Sequence, residues 1–401
     1  MKKKIWKVIF FLAGVFALVL LISAVICGTV IHIQPYTVAL DGMETPVRLV
    51  VISDLRGKAF GKDNARLLEK IEAQAPDVIF LVGDMLDKKA DEADVQSLLA
   101  LTERLLKIAP VFFSMGNHEQ VYLKTDETLL DRIAQTGAVV VNDSYADVTL
   151  AGQPLRIGGT MGYGFAFGRT EEEFTSSQEY VFLKAFENTE LPKICLAHMP
   201  DTFIFNGAYT LWDVDLVLSG HTHGGLVRLP FIGGLYAPMQ GLFPKYDRGY
   251  FQLGTHMQMV ITSGLAGHGL LPRVNNLPEI VVIDLVPQTK EFKALVEEVR
   301  NVRAMTNICP SAQPEVNVPD MLNFLIRNEI YKDDYENVTS RILEEKVSYE
   351  VAIEAVKKIA MSGMFERQSS EEENNTRYLE KKLADYKAGK LKVEEHELIE
   401  E

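Results

Sequence analysis

Short apolar runs alternate with amphipathic stretches along residues 36–287. The runs are "RLVVISD", "DVIFLVGD", "VFFSMGNHE", "AVVVND", "LRIGG", "KICLAHMP", "DLVLSGHTHGG", "MQMVITSG" and "EIVVIDL". Their β-branched and aromatic content, their length and the Gly, Pro and Asp at their ends predict strands rather than helices. Between them, "DNARLLEKIEAQAP", "ADVQSLLALTERLLKIAP" and "TLLDRIAQTG" space apolar residues at helical intervals and stop at Pro or Gly. Strand–helix–strand alternation, followed by strands in closer succession, indicates a sheet-based α/β domain with helices outside.

The pattern breaks at both ends. From Val8 to Ile31 there is no charge, and at 1.5 Å per residue a helix there would reach roughly 36 Å, enough to cross a bilayer. A secretory signal peptide is the rival reading, but its apolar region would be shorter and would end in small residues. Here "SAVICGT" sets Val25 and Ile26 before Cys27, so an uncleaved transmembrane anchor is expected over residues 1–35. Lys2, Lys3, Lys4 and Lys7 precede the run, which puts the N-terminus in the cytoplasm and the rest outside the cell membrane. Past Thr289 the chain is charged, strand-poor and helix-permissive, with a Pro-rich break at "CPSAQPEVNVP". Residues 289–401 read as an acidic helical extension, partly flexible, whose protein partner is unknown.

Composition narrows the field. With 47% hydrophobic residues in 401 the chain can fill a full core, and a formal net charge of -14 argues against nucleic acid as a partner. Three cysteines, Cys27, Cys195 and Cys309, make neither a disulfide framework nor a thiolate metal site.

Five of the apolar runs end in a residue able to ligate a metal: Asp54, Asp84 after Gly83, Asn117 with His118 after Gly116, His198, and His221 with His223. Ends of neighbouring strands converge at the carboxyl edge of an α/β sheet. Each end alone is weak evidence. Together, the order D-x-x, GD-x-x-D, GNHE, an isolated His and GH-x-H resembles the calcineurin-like metallophosphoesterase superfamily. "GHTHGGLVRLPFIGGLYAPMQGLFPKYDRGYF" and "PEIVVIDL" are similar to its membrane-anchored bacterial branch.

The resemblance implies a four-layer αββα sandwich of two mixed sheets over residues 36–288, with a two-metal site at the sheet edge. It implies that Asp84 bridges the metals. Asn117, His198 and His221 complete one shell, while Asp54 and His223 belong to the other. His118 becomes the general acid beside the scissile phosphate. Asp87 and Glu119 are either carboxylates that orient His118 or a ligand histidine, or ordinary surface and capping groups. Mixed Asp, Asn and His ligation suits Mn, Zn or Fe.

Arg56 stands where the family has histidine, and a guanidinium has no lone pair to donate. Three readings follow. Arg56 swings outward and clamps a substrate phosphate. Alternatively it leaves a one-metal or weakly loaded enzyme, since a unit charge and a dication ~5 Å apart repel by roughly 7 kcal/mol at an effective dielectric of ~20. In the third, the domain binds or senses a phosphorylated ligand without cleaving it. His268 and Arg273, with Lys245, Tyr246 and Arg248, form either a substrate rim or loop-stabilising contacts. The expected activity is hydrolysis of a phosphomonoester or phosphodiester by metal-activated hydroxide, with two divalent metals, or one if Arg56 excludes the other. An anchor beside the domain brings lipid or envelope-derived phosphoesters within reach.

Overall fold

The computed structural model describes residues 2–162, 175–230, 232–253, 256–267 and 272–288. His268 and the 289–401 extension lie outside them. The chain divides into the units Met1–Pro287 and Gln288–Glu401, and only the first is described below.

Helix α1 (Lys2–Thr29) leads into β1 (His32–Leu40), β2 (Val47–Ile52), α2 (Ala65–Glu72), β3 (Val78–Val82), α3 (Glu92–Leu105) and β4 (Val111–Ser114). Next come α4 (Asn117–Tyr122), α5 (Leu129–Gln135), β5 (Val139–Val140), β6 (Ser144–Leu150), β7 (Gln153–Thr160), β8 (Lys193–Ala197) and β9 (Leu216–Ser219). Two small ribbons follow, β10 (Arg228–Leu229) with β11 (Gly233–Gly234) and β12 (Tyr236–Ala237) with β13 (Gly241–Leu242). The described unit closes with β14 (Gly249–Leu253), β15 (Met257–Ile261) and β16 (Glu279–Pro287).

Two mixed six-stranded sheets result, ordered β1-β16-β2-β3-β4-β5 and β14-β15-β9-β8-β7-β6. Strands β2 to β5 run parallel, as do β7, β8, β9 and β15. Alternation along β3 shows how the layers form. Ile79 and Leu81 join Leu67, Ile71, Leu98 and Leu105 on the helix-covered face. Val78, Phe80 and Val82 instead meet Ile157, Ile194, Leu196 and Leu218 of the second sheet. A third core, with Phe182, Phe186, Phe203 and Trp212, covers the outer face of that sheet. A strand buried on both faces cannot show polar alternation, which is why these runs read as continuous apolar stretches.

The expected helices form with local support. At the start of α3, Asp91 Oδ1 accepts the Asp94 N–H at 3.0 Å and Asp94 Oδ2 accepts the Asp91 N–H at 3.1 Å. Such a reciprocal cap stabilises a helix by about 1 kcal/mol. The face Val95, Leu98, Leu101 and Leu105 is then buried on the sheet.

Two features stand out at the N-terminus. The uncharged run does form α1, but among the described residues no helix is long and apolar enough to cross a membrane. Side chains of residues 8–9, 12–13 and 16–17 lie outside that description. The last turns of α1 are committed to the domain: Cys27 is buried, Asn275 N–H donates to Ser23 Oγ at 2.8 Å, and Asn276 N–H approaches Cys27 Sγ at 3.2 Å. The second is β1, a strand not expected from the sequence, which begins at His32 and pairs in parallel with β16. Pro35 hid it, since proline cannot donate to a ladder; β1 is an edge strand, where proline is tolerated.

Candidate metal centre

Five loops leave the carboxyl ends of β2, β3, β4, β8 and β9, carrying Asp54, Asp84, Asn117 with His118, His198, and His221 with His223. Strand pairing persists into them. Asp54 N–H donates to Gly83 O and Arg56 N–H to Asp84 O, both at 3.0 Å, and Gly220 N–H donates to His198 O at 3.0 Å. The chain then turns abruptly. Asp54, Arg56, Asp84, His221 and His223 take φ of 54°, 48°, 52°, 68° and 50°, a left-handed region costly for non-glycine residues. Gly83 keeps the loops close, since a Cβ there would stand 2.6 Å from Gly116 N and 2.7 Å from His198 Cγ.

Asp54, Asp84 and His198 bring ligand atoms within 4.8 Å of one another, and all three are buried. Asp84 is the hub. Its Oδ1 accepts the His118 N–H at 2.8 Å and lies 3.4 Å from His198 Nε2, while its Oδ2 lies 2.7 Å from Arg56 Nη2 and 3.7 Å from His118 Nε2. Burial would raise the Asp84 pKa, but His198, Arg56 and His118 hold it well below the ordinary carboxylate range.

The three buried histidines differ in charge. His198 Nδ1 lies 2.8 Å from Val82 O, so the backbone carbonyl takes the Nδ1 proton and Nε2 faces the carboxylates. Burial alone would lower the pKa of His198; Asp84 beside it pushes the value up to about 9. His221 and His223 are pushed down to about 3, by burial first. Both are therefore neutral imidazoles at pH 7, as ligation requires. The His221 ring sits 5.3 Å from that of His198, and His223 Nε2 is 3.7 Å from Asp54 Oδ1.

Among the described residues, Asn117 Oδ1, Asp54 Oδ1 and both ring nitrogens of His221 are buried without a hydrogen-bond partner. Each such orphan costs about 1–3 kcal/mol. A divalent cation held by Asp84, Asn117, His198 and His221 would satisfy the donor atoms those residues leave open, and the oxygen–nitrogen set suits a borderline or hard metal. Residues on that side fit the group.

Supporting contacts fix the ligands. Glu119, fully buried, accepts N–H bonds from Asp84 at 2.8 Å, Gly116 at 2.8 Å and Leu86 at 2.9 Å. Its carboxylate thus ties the β3 loop to the start of α4. Asp87 is the carboxylate beside that ring, with Oδ2 3.4 Å from Nδ1. His118 Nδ1 also accepts the Lys88 N–H at 3.1 Å, which assigns the proton to Nε2, facing the centre. Burial lowers the His118 pKa, against the pull of Asp84.

Arg56 points inward. Its side chain is 8% exposed, its Nη2 is 4.0 Å from Asp54 Oδ1, and its Nε is buried with no partner among the described residues. Arg273, read from the sequence as either a rim residue or a loop-stabilising one, is 3% exposed and donates to Ala266 O and Ser263 O at 2.7 Å and to Asn276 O at 3.0 Å. Ala266 N–H in turn holds Asp54 O at 2.7 Å, so Arg273 braces the Asp54 loop. Tyr246 is buried against Phe251, Lys245 lies 4.9 Å over the Tyr246 ring, and Arg248 is 3.6 Å from Glu279. Three contributors went unnoticed in the sequence. Ser53 Oγ is 2.8 Å from Asp54 Oδ2, Asn276 Nδ2 donates to His223 O at 2.7 Å, and Asp201 has both carboxylate oxygens buried without a partner. No motif marks Ser53 or Asn276; Asp201 could have been suspected from its place three residues after His198.

The sequence model of the calcineurin-like phosphoesterase family matches residues 47–225. An uncharacterized metallophosphoesterase of Campylobacter jejuni is 27% identical over 258 residues, which is 63% of each chain. This chain therefore spans less than two thirds of that relative's length. Phosphodiesterase YaeI of Escherichia coli is 27% identical over 218 residues, 53% of this chain and 72% of that one. A crystal structure from Thermus thermophilus is 20% identical, with 55% of this chain and 90% of that one covered at a TM-score of 0.35.

Proposed function

We propose, from the premise that residues 47–225 are a calcineurin-like phosphoesterase domain related to bacterial metallophosphoesterases, that this protein hydrolyses phosphoesters in a metal-dependent reaction. The observation that carries the reading is the cluster of Asp54, Asp84 and His198 within 4.8 Å, ringed by orphaned ligand atoms of Asn117 and His221. When bound, a divalent cation withdraws charge from phosphoryl oxygens and lowers the pKa of water.

The chain's own residues do the rest. Asp84, Asn117, His198 and His221 would hold the cation, with Glu119 and Val82 O fixing two of those ligands from behind. Arg56 offers a buried, permanently charged donor for a phosphoryl oxygen. His118 carries its proton on Nε2, 3.7 Å from Asp84 Oδ2, where it can donate a hydrogen bond to the departing ester oxygen; full proton transfer requires the imidazolium form, in which Nδ1–H turns from the Lys88 N–H to Asp87. Asp87 stands behind the other ring nitrogen and stabilises the ring when it is charged. Burial of Asp84, His198 and His221 strengthens each of these interactions.

The relation to a phosphodiesterase makes a diester the first substrate to try. The full chain, loaded with Mn²⁺, is assayed on bis(p-nitrophenyl) phosphate and p-nitrophenyl phosphate. Turnover of either should vanish on chelation and return with Mn²⁺. Loaded, folded protein that cleaves neither ester would sink the reading.

A further inference from the structure

Asp84 presents its two oxygens to two different groups. Oδ1 faces His198 Nε2 at 3.4 Å, and beyond it the His221 ring stands 5.3 Å from that of His198. Oδ2 is taken by Arg56 Nη2 at 2.7 Å, in a guanidinium that also lies 4.0 Å from Asp54 Oδ1. We infer that the centre holds a single divalent cation, on the Oδ1 side, and that Arg56 is its second positive charge, built into the chain and shared between Asp84 and a phosphoryl oxygen of the substrate. This rests on the metallophosphoesterase reading above.

Three observations carry it. First, the Asp54–His223 side, although Asp54 belongs to the 4.8 Å cluster and its Oδ1 has no hydrogen-bond partner among the described residues, has Arg56 in place of a ligand. A guanidinium has no lone pair and stays protonated, and it occupies the Asp84 oxygen that a cation between Asp54 and Asp84 would need. Second, Arg56 is held where it is. Its backbone N–H donates to Asp84 O at 3.0 Å, the next N–H, of Gly57, donates to Met85 O at 3.1 Å, and its side chain is nearly buried. Moving it outward would strip Asp84 Oδ2 of its charged partner. Third, Arg56 Nε is buried with no acceptor among the described residues. A buried charged donor without an acceptor is costly, and a tetrahedral phosphate offers the oxygen that would meet it, with the second Nη2 hydrogen alongside.

The test is a metal count with a spectroscopic signature. The full chain, stripped of metal and titrated with Mn²⁺, is desalted and measured by mass spectrometry and by electron paramagnetic resonance. One Mn²⁺ per chain with an isolated six-line spectrum is expected, rising to two with a spin-coupled spectrum in Arg56→His. Two Mn²⁺ in the unaltered protein, or one in a folded Arg56→His, would overturn the inference. Arg56→Lys keeps the charge but not the fork; it should retain one Mn²⁺ while inhibition by inorganic phosphate weakens roughly tenfold, and unchanged inhibition would remove Arg56 from the substrate. Ester turnover on the same samples separates the two readings. Two metals with turnover overturns the single-cation centre alone, whereas one metal with no turnover overturns the phosphoesterase and leaves the count standing.

Discussion

Arg56 and Asp84 meet at 2.7 Å on a sheet edge where both carboxylate and guanidinium are shut away from solvent. Breaking a buried pair by removing one partner commonly costs about 3–5 kcal/mol, because the other charge is left uncompensated. Metal-free Arg56→Ala should therefore unfold well below the unaltered protein, with Asp54 and Asp84 repelling each other. Saturating Mn²⁺ should recover more of the melting temperature in the variant than in the parent. Equal shifts in the two proteins would show that the pair does not stabilise the metal-free fold.

The proposed function sets His118 at the leaving group rather than among the metal ligands. In His118→Ala the metal content should stay constant while kcat falls by about 10²–10⁴ on an alkyl ester, as expected for loss of a general acid. With a p-nitrophenolate leaving group, which needs little protonation, the loss should be much smaller. A uniform loss on both esters would assign His118 to substrate binding instead.

Glu119 gathers the N–H groups of Asp84, Gly116 and Leu86. Glu119→Gln keeps the shape but turns an amide donor toward some of those donors. The expected cost is about 1–3 kcal/mol in urea unfolding, with weakened Mn²⁺ affinity because Asp84 loosens. Unaltered affinity would confine Glu119 to stability.

Asp201 carries a pH prediction. Burial pushes its carboxyl up to about 7 from an ordinary 3.8, so the folded state binds the proton more tightly than the unfolded one. Its contribution to stability is greatest at acid pH, falls as pH rises from about 4 to about 7, and is constant above that. The Asp201→Asn variant escapes the fall. Its stability advantage should grow across that window and then level off, read from urea midpoints at pH 5, 6, 7 and 8. Parallel curves would mean that Asp201 is not protonated in the fold.

Much of this arrangement was legible because ligands at strand ends need only two facts, where the apolar runs stop and that parallel strands share an edge. Asp54, Asp84, His198 and His221 follow from that logic. The direction of Arg56 does not. It depends on a left-handed φ at a non-glycine residue and on pairing that continues past the end of β2, and neither leaves a mark in residue order. Glu119 was marked as an orienting or capping carboxylate, but its partners could not be read: they are backbone N–H groups of Asp84, Leu86 and Gly116, invisible to side-chain pattern. Strand β1 was concealed by Pro35, and the anchor was read from apolar length alone, without the contacts that bind Cys27 and Ser23 to the domain.

Those last contacts give α1 a mechanical meaning. Its final turn rests on Asn275 and Asn276, and Asn276 holds the His223 carbonyl. The helix is thus a handle joined to the loop that carries His223 rather than a tether ending in slack chain. Whatever grips exposed Phe10 and Phe11 also sets the direction in which the mouth of the centre looks, and a fragment cut at residue 36 would lose the handle, half of β1 and that aim together.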